Sequence, residues 1–140
     1  MPVSYRIDPE RRRIVTRCEG DATLVEILAH FDELEVDPAC PPGADVLLDL
    51  TRVTSLPNVG QIRSAADRVG EAARRVRFGA IATVVDSEDL FGVARLFQMF
   101  TQRIFTRSAV FPTREAAQSW LDAPEATPRL EKPAKPPGRT

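Results

Sequence analysis

Two continuous apolar runs constrain the fold of this chain more than any other feature of its sequence. The first covers residues 46–50 (VLLDL) and the second covers residues 78–85 (FGAIATVV). An unbroken apolar run of this length is typical of a strand that is buried on both faces of a sheet. Because helical patterns alternate with these runs, the sequence predicts an α/β fold with a mostly parallel sheet covered by helices.

Shorter patterns complete the predicted order of elements. Residues 3–8 alternate in polarity and residues 13–19 are rich in β-branched side chains, so together they predict an N-terminal antiparallel hairpin. Residues 109–111 form a short last strand. Helical spacing of apolar residues is found at 24–34, 59–76, about 88–105 and 116–121. The expected order is ββαβαβαβα, in a mixed sheet of about five strands with about four helices.

Polar residues at the expected positions mark where the helices begin. Thr23 with Glu26, and Asn58 with Gln61, have the spacing of a capping box. Ser87 and Thr113 are placed to cap the third and fourth helices.

The domain is expected to cover residues 1–122. Beyond it the apolar pattern ends, and residues 123–140 hold five prolines with Lys and Glu between them. Such a segment buries too little surface to offset its ordering entropy, so a disordered Pro-rich C-terminal tail is predicted.

Charge, hydropathy and cysteine content indicate the expected compartment of the protein and exclude some classes of partner. The net charge of −1 gives no basic field, so neither nucleic acid nor an acidic membrane surface is an expected partner. No apolar run approaches 18 residues and the start MPVSYRID lacks a signal-peptide pattern, so we expect no membrane insertion. Cys18 and Cys40 lie in unlike contexts, and with no secretory signal they are predicted to be reduced in a cytoplasmic protein.

Three segments resemble the STAS domain, the fold of sulfate-transporter cytoplasmic domains and of bacterial anti-sigma-factor antagonists. They are residues 3–8 (VSYRID), the Leu48-Asp49-Leu50 strand, and residues 92–98 (GVARLFQ). Within that fold, the chain more closely resembles the SpoIIAA-like group of stand-alone bacterial proteins. The resemblance implies a phosphorylatable Ser at the start of the second helix, but this sequence has Asn58 and Val59 there, which argues against a phosphoryl switch. That group is also compared with lipid-carrying CRAL-TRIO domains, which implies an apolar pocket.

The third helix is the main candidate for binding, because its apolar residues cover far more than one stripe. Three interpretations stay open: burial under neighbouring elements, a homodimer interface, or the wall of a pocket for an apolar ligand. The candidate binding residues are Phe91, Ala94, Arg95, Phe97, Gln98 and Met99.

A second candidate site lies after the third strand, at Asp49 and Asn58. Ligands of open α/β sheets gather at the carboxyl ends of the strands, where Asp49 is expected. The competing interpretation is that Asp49 accepts backbone N–H bonds from the following turn.

No catalytic or metal-binding constellation is found in the sequence. His30 is the single histidine and is expected off the apolar stripe of an acidic first helix. Cys18 and Ser55 lack neighbours that would activate them as nucleophiles, and no His/Cys cluster has metal spacing. We therefore expect no enzyme, no metal and no cofactor. The basic outer face of the second helix is either solvated or docks a charged partner.

Two functional hypotheses remain. The first is a non-catalytic regulatory or protein-interaction module without the usual phosphorylatable Ser, forming a homodimer through the third helix or binding another protein. The second is a carrier or sensor of a small apolar, lipid-like ligand held between the third helix and the sheet.

Overall fold

The computed structural model describes residues 2–55 and 58–123. Within them the strands are β1 (Val3–Asp8), β2 (Arg13–Asp21), β3 (Ala44–Ser55), β4 (Phe78–Val84) and β5 (Ser108–Phe111). The helices are α1 (Leu24–Glu35), α2 (Val59–Val76), α3 (Glu88–Phe100) and α4 (Arg114–Asp122). The predicted order ββαβαβαβα is confirmed.

The strands form one sheet in the order β1-β2-β3-β4-β5. β1 and β2 are antiparallel, and every other neighbouring pair is parallel. In the loop between β1 and β2, the Asp8 carboxylate accepts a hydrogen bond from the Arg11 backbone N–H. The predicted mixed sheet, with an antiparallel hairpin at its N-terminal edge, is therefore confirmed.

The helices cover the two faces of the sheet unequally. α1, α2 and α3 lie side by side, with α2 in contact with both neighbours, whereas α4 packs against β3, β4 and β5 from the other face. Every residue of β4 is buried. Ile81 belongs to the core beneath α1–α3, while Ala80 and Ala82 belong to the core beneath α4. The apolar run at 78–85 thus marks a strand covered on both faces.

β3 is longer than its apolar core predicted. Pairing with β4 ends at Asp49, opposite Val84, and beyond this point β3 pairs with β2 alone. Residues 51–55 therefore lie at a more exposed end of the sheet, where the strand does not need apolar side chains. For this reason the apolar pattern could not show where the strand ends.

α3 is shorter than predicted, because it ends at Phe100 and not near Phe105. The Thr101 backbone N–H and its hydroxyl both bond to the Phe97 carbonyl, and residues 101–106 form turns. These turns bring Phe105 into the core, where its ring centroid lies 5.5 Å from that of Phe78. The apolar spacing continued past the helix because Phe105 is a core residue on a turn.

The four helices begin at the capping residues that the sequence predicted. Thr23 and Asn58 each form a complete capping box with the residue three positions later. Ser87 and Thr113 accept N–H bonds at the starts of α3 and α4. Each cap satisfies backbone donors that would otherwise lack a partner within the helix.

The acidic outer side of α1 and the basic outer side of α2 partly neutralise each other. Arg68 Nη2 lies 2.8 Å from Asp32 Oδ1 and 2.6 Å from Glu35 Oε1, and Arg75 Nε lies 3.2 Å from Glu35 Oε2. Solvation or an outside partner was expected for these charges, whereas the structure pairs several of them with each other across α1 and α2.

The predicted tail falls almost wholly on residues 124–140, which lie outside the described part of the chain. Across residues 2–55 and 58–123, no helix has the length and hydropathy needed to cross a membrane.

Gly79 is the position in β4 where a side chain has no room. An added Cβ would lie 2.7 Å from the Gly43 carbonyl oxygen and closer still to the Asp45 carboxylate, which accepts the Ala80 N–H. We expect Gly79→Ala to lower the free energy of unfolding by about 2 kcal/mol, as overpacking does. Urea unfolding followed by circular dichroism measures this change.

Gly92 provides the matched control on α3. Apart from its chain neighbours and the adjacent α3 backbone, no described atom lies within 4 Å of an added Cβ at this position. Gly92→Ala should raise the stability by up to about 1 kcal/mol, because Ala is the better helix former. Equal effects of the two substitutions would contradict the packing assigned to Gly79.

Candidate functional site

A cavity of about 110 Å³ lies between the sheet and the helices α1–α3. Its floor is formed by side chains that alternate along the strands: Ile14, Thr16 and Cys18 of β2, Val46, Leu48 and Leu50 of β3, and Ile81 and Thr83 of β4. Its walls come from the helices: Ile27, His30, Phe31 and Leu34 of α1, Ile62, Ala65 and Val69 of α2, and Val93, Ala94 and Phe97 of α3.

Small side chains on two helices leave room at the cavity. Ala65 of α2 and Ala94 of α3 are both buried and both line it. Protein interiors are normally filled to crystal-like density, so a larger apolar residue at either position would occupy this space. The cavity therefore arises where α2 and α3 present short side chains to the face of the sheet.

Few polar groups enter this apolar space. The lining includes Thr16, Cys18, His30 and Thr83, and none of the described lining residues carries an Asp, Glu, Lys or Arg side chain. His30 Nε2 lies 3.5 Å from Thr16 Oγ1, at the outer limit of a hydrogen bond. The polar atoms of these residues contribute almost nothing to the cavity surface, so the site suits an apolar body.

The expectation that His30 lies off the apolar stripe was wrong. His30 is only 7% exposed, and its ring makes edge contacts with Tyr5 at 5.2 Å and Phe31 at 4.9 Å between centroids. The signal was present in the sequence, because Ile27, His30, Phe31 and Leu34 follow the i, i+3, i+4, i+7 spacing of one helix face. Side chains of a strand alternate between its two faces, so the sequence could also have placed Thr16 on the same face of β2 as Ile14 and Cys18.

Burial controls the protonation of the two reactive side chains at this site. Desolvation lowers the pKa of the His30 imidazole to about 4. Desolvation, with a smaller contribution from the negative charge of Asp49, raises the pKa of the Cys18 thiol to about 12. At neutral pH both side chains are uncharged, and the thiolate needed for a strong nucleophile is scarcely populated.

The structure divides the six candidate residues of α3 into two groups. Ala94 and Phe97 line the cavity. Phe91 and Met99 are 44% and 62% exposed on the outer side of the helix. Arg95 is also exposed, with its guanidinium 5.7 Å from the Phe91 ring centroid.

The sixth residue, Gln98, has a structural contact instead. Its side-chain amide donates a hydrogen bond of 3.0 Å to the backbone carbonyl of Ser108 and so ties α3 to β5.

Asp49 contacts α4, on the face of the sheet opposite to the cavity. Its carboxylate accepts bonds from the Thr51 N–H at 2.9 Å and hydroxyl at 2.7 Å, and lies 3.4 Å from Arg114. Burial acts to raise the pKa of this carboxyl, but the Thr51 bonds and the Arg114 charge bring it below its ordinary value. Asn58, the other residue of this candidate site, caps α2.

The Thr51 N–H that donates to Asp49 lies within β3 and not in a turn after the strand. The β2–β3 register shifts between Arg17 and Glu19, so that Arg17 faces Asp49 and Glu19 faces Arg52. β3 therefore holds an extra residue at this point, as in a β-bulge, and the Asp49 carboxylate binds the displaced Thr51 backbone.

The described residues include no candidate metal site. Across residues 2–55 and 58–123, no group of three or more His, Cys, Asp or Glu side chains is placed to hold an ion.

Comparison with known proteins supports the fold. No protein-family model and no curated protein matches the sequence. A solved structure from Shewanella loihica PV-4, an uncharacterised protein of the DUF3478 family described as having a SpoIIAA-like fold, superposes with a TM-score of 0.55. The two chains share 16% identity over 85% of this chain and 91% of that one. The chain is thus an α/β protein with a SpoIIAA-like, STAS-like fold, as the resemblance predicted.

The buried His30 makes stability depend on pH. The unfolded chain binds a proton at the ordinary pKa of 6.5, while the folded chain does so only near pH 4. The stabilisation from neutral His30 is therefore complete above pH 6.5 and is lost as the pH falls toward 4. The full shift corresponds to about 3 kcal/mol.

His30→Leu should remove this component. Urea unfolding at about pH 7 and about pH 4.5 should show a loss of stability in the wild type that exceeds the loss in the variant by 2–3 kcal/mol, allowing ~1.4 kcal/mol per pKa unit. Carboxylates titrate in both proteins, so the difference between them isolates the histidine. Identical pH dependence would mean that His30 is not buried in its neutral form.

Proposed function

We propose that this chain is a non-catalytic binding module that holds a small apolar molecule between α1–α3 and the sheet. The observation that carries the proposal is the cavity of about 110 Å³ with its apolar lining. A ligand that fills this space would cover apolar surface, and removing apolar surface from water favours binding.

The volume sets the size of the ligand. An apolar cavity of about 150 Å³ lined by Leu, Ile and Phe is known to bind benzene. The present cavity is somewhat smaller. It suits one small ring or a short alkyl chain better than a whole lipid molecule.

The state of the titratable groups supports a role without catalysis. His30 and Cys18 are both buried and neutral at neutral pH, and among the described residues that line the cavity neither has a charged partner that would activate it. At the start of α2, where the STAS pattern has a phosphorylatable Ser, Asn58 acts as the helix cap. We therefore propose a module that responds to occupancy of the cavity and not to phosphorylation.

The cytoplasm is the compartment that we propose for this module. Cys18 and Cys40 are both free, and free thiols persist in a reducing compartment.

The outer side of α3 supports a second candidate function, a homodimeric interaction module. Phe91, Arg95 and Met99 are spaced four residues apart, so they share one exposed face that also includes Glu88. An antiparallel pair of α3 helices about a two-fold axis can bring each Arg95 to Glu88 of the partner subunit while covering Phe91.

Native mass spectrometry of protein purified from its own host tests the ligand proposal. We expect a mass above that of the bare chain, with the excess lost on denaturation. Ala94→Val and Ala94→Leu should reduce this excess in the order of the volume added, because residue 94 lines the cavity. Gly92→Ala on the same helix should retain it. Bare mass in the wild type, with no gain of stability from small apolar compounds, would contradict the proposal.

The same spectra test the second candidate independently. A dimer through α3 should dissociate in Phe91→Asp, which buries a charge in the proposed interface, while Asp67→Asn on α2 should leave it intact. A monomer at all concentrations would rule out this candidate and leave the ligand proposal unaffected.

A further inference from the structure

Building on the proposed cavity function, we infer that α3 is the helix that moves to admit the ligand. It acts as a gate over the cavity and is held closed by the hydrogen bond from the Gln98 amide to the Ser108 carbonyl. The inference rests on the proposed function and adds to it the route by which a ligand enters and leaves.

The cavity lies inside the fold and not on its surface. Each of its lining residues is buried or half-buried, and its floor consists of strands β2, β3 and β4, which are hydrogen-bonded to one another. Displacing a strand would break several of these backbone bonds at once. Displacing a helix breaks side-chain contacts and leaves its own backbone bonds intact. A ligand therefore enters when one of the three covering helices moves away from the sheet.

Helices α1 and α2 are joined to each other and to the sheet. Arg68 of α2 contacts both Asp32 and Glu35 of α1. Just beyond the end of α1, Asp37 accepts a hydrogen bond of 2.7 Å from the Tyr5 hydroxyl of β1. α2 also buries six of its eighteen residues. Movement of either helix would break ion pairs or expose a large apolar surface.

Helix α3 is attached less firmly. Ala94 is the only buried residue among its thirteen, all of which the structure describes. Its side-chain hydrogen bond to another element runs from Gln98 to Ser108, and Phe100 packs under the guanidinium of Arg63 at 4.3 Å. Segments with little buried surface and few ties to their surroundings are those that open at the lowest free energy. Of the three covering helices, α3 is therefore the one expected to open.

The bond from Gln98 reaches the edge of the sheet. β5 pairs with β4 alone, and residues 101–106 form turns between α3 and β5. These turns give α3 a flexible connection, and Gln98 fastens the helix to the strand that follows it. Because the bond joins two neutral groups, its loss should favour the open state about fivefold.

Hydrogen exchange of backbone amides tests the gate without any ligand. In the wild type, amides in the middle of α3 should be protected at least about tenfold less than those in the middle of α2. Gln98→Met removes the donor while keeping a similar length and helix propensity. It should lower the protection of α3 about fivefold further and leave that of α1 and α2 unchanged. Equal protection of α2 and α3 in the wild type would overturn the inference.

Arg68→Gln is the matched control, because it removes the contacts between α1 and α2 and leaves those of α3 in place. It should lower the protection of α1, while that of α3 stays within about twofold of the wild-type value, as expected for independent sites.

Benzene is the probe for passage through the gate, and its association and dissociation rates are measured from NMR line shapes with the full chain. In Gln98→Met both rates should rise about fivefold, because opening limits both. The dissociation constant should change less than about twofold, because the open state stays a minor one. Arg68→Gln should keep the wild-type rates. Faster exchange in Arg68→Gln, with unchanged rates in Gln98→Met, would place the gate at α1 and overturn the inference.

The outcomes separate this inference from the function on which it rests. If benzene binds and its rates do not depend on Gln98, the cavity function stands and the gate fails. If benzene neither binds to the protein nor stabilises it, the cavity function fails and the gate fails with it.

Discussion

Burial of β3 and β4 on both faces of the sheet determines where the helices must lie. Their apolar side chains alternate between two cores, so helices must cover each face. The coverage is unequal, with α1, α2 and α3 on one face and α4 on the other. Three helices laid side by side leave a gap where their facing side chains are short. The cavity at Ala65 and Ala94 follows from this arrangement.

The polar chemistry of the site depends on a single side chain placed among apolar ones. His30 sits on the buried face of α1 between the rings of Tyr5 and Phe31, and burial holds its imidazole neutral. The cavity itself presents almost entirely apolar atoms, so shape and apolar contact determine what it can hold.

The features that the sequence predicted well are those encoded by local or periodic patterns. The apolar runs of β3 and β4 and the caps at Thr23 and Asn58 need only neighbouring residues to be recognised. Features that depend on packing between elements were missed. The ion pairs of Arg68 with Asp32 and Glu35 require α1 and α2 to be adjacent. A pocket between α3 and the sheet was one of the interpretations left open, but the walls that α1 and α2 give it require three helices to be placed at once, which no spacing rule shows. The burial of His30 was visible as periodicity and was overlooked because histidine is polar.

Xenon binding tests directly whether the cavity exists, because xenon enters apolar cavities and needs no hydrogen bond. A crystal of the protein pressurised with xenon should show one strong site between α3 and the sheet, in contact with Ala94 and the side chains of the cavity floor. The same pressure should produce no shift of α1–α3. Helices packed directly on the strands, with no xenon site between them, would show that the cavity does not exist in the folded protein and would contradict the account.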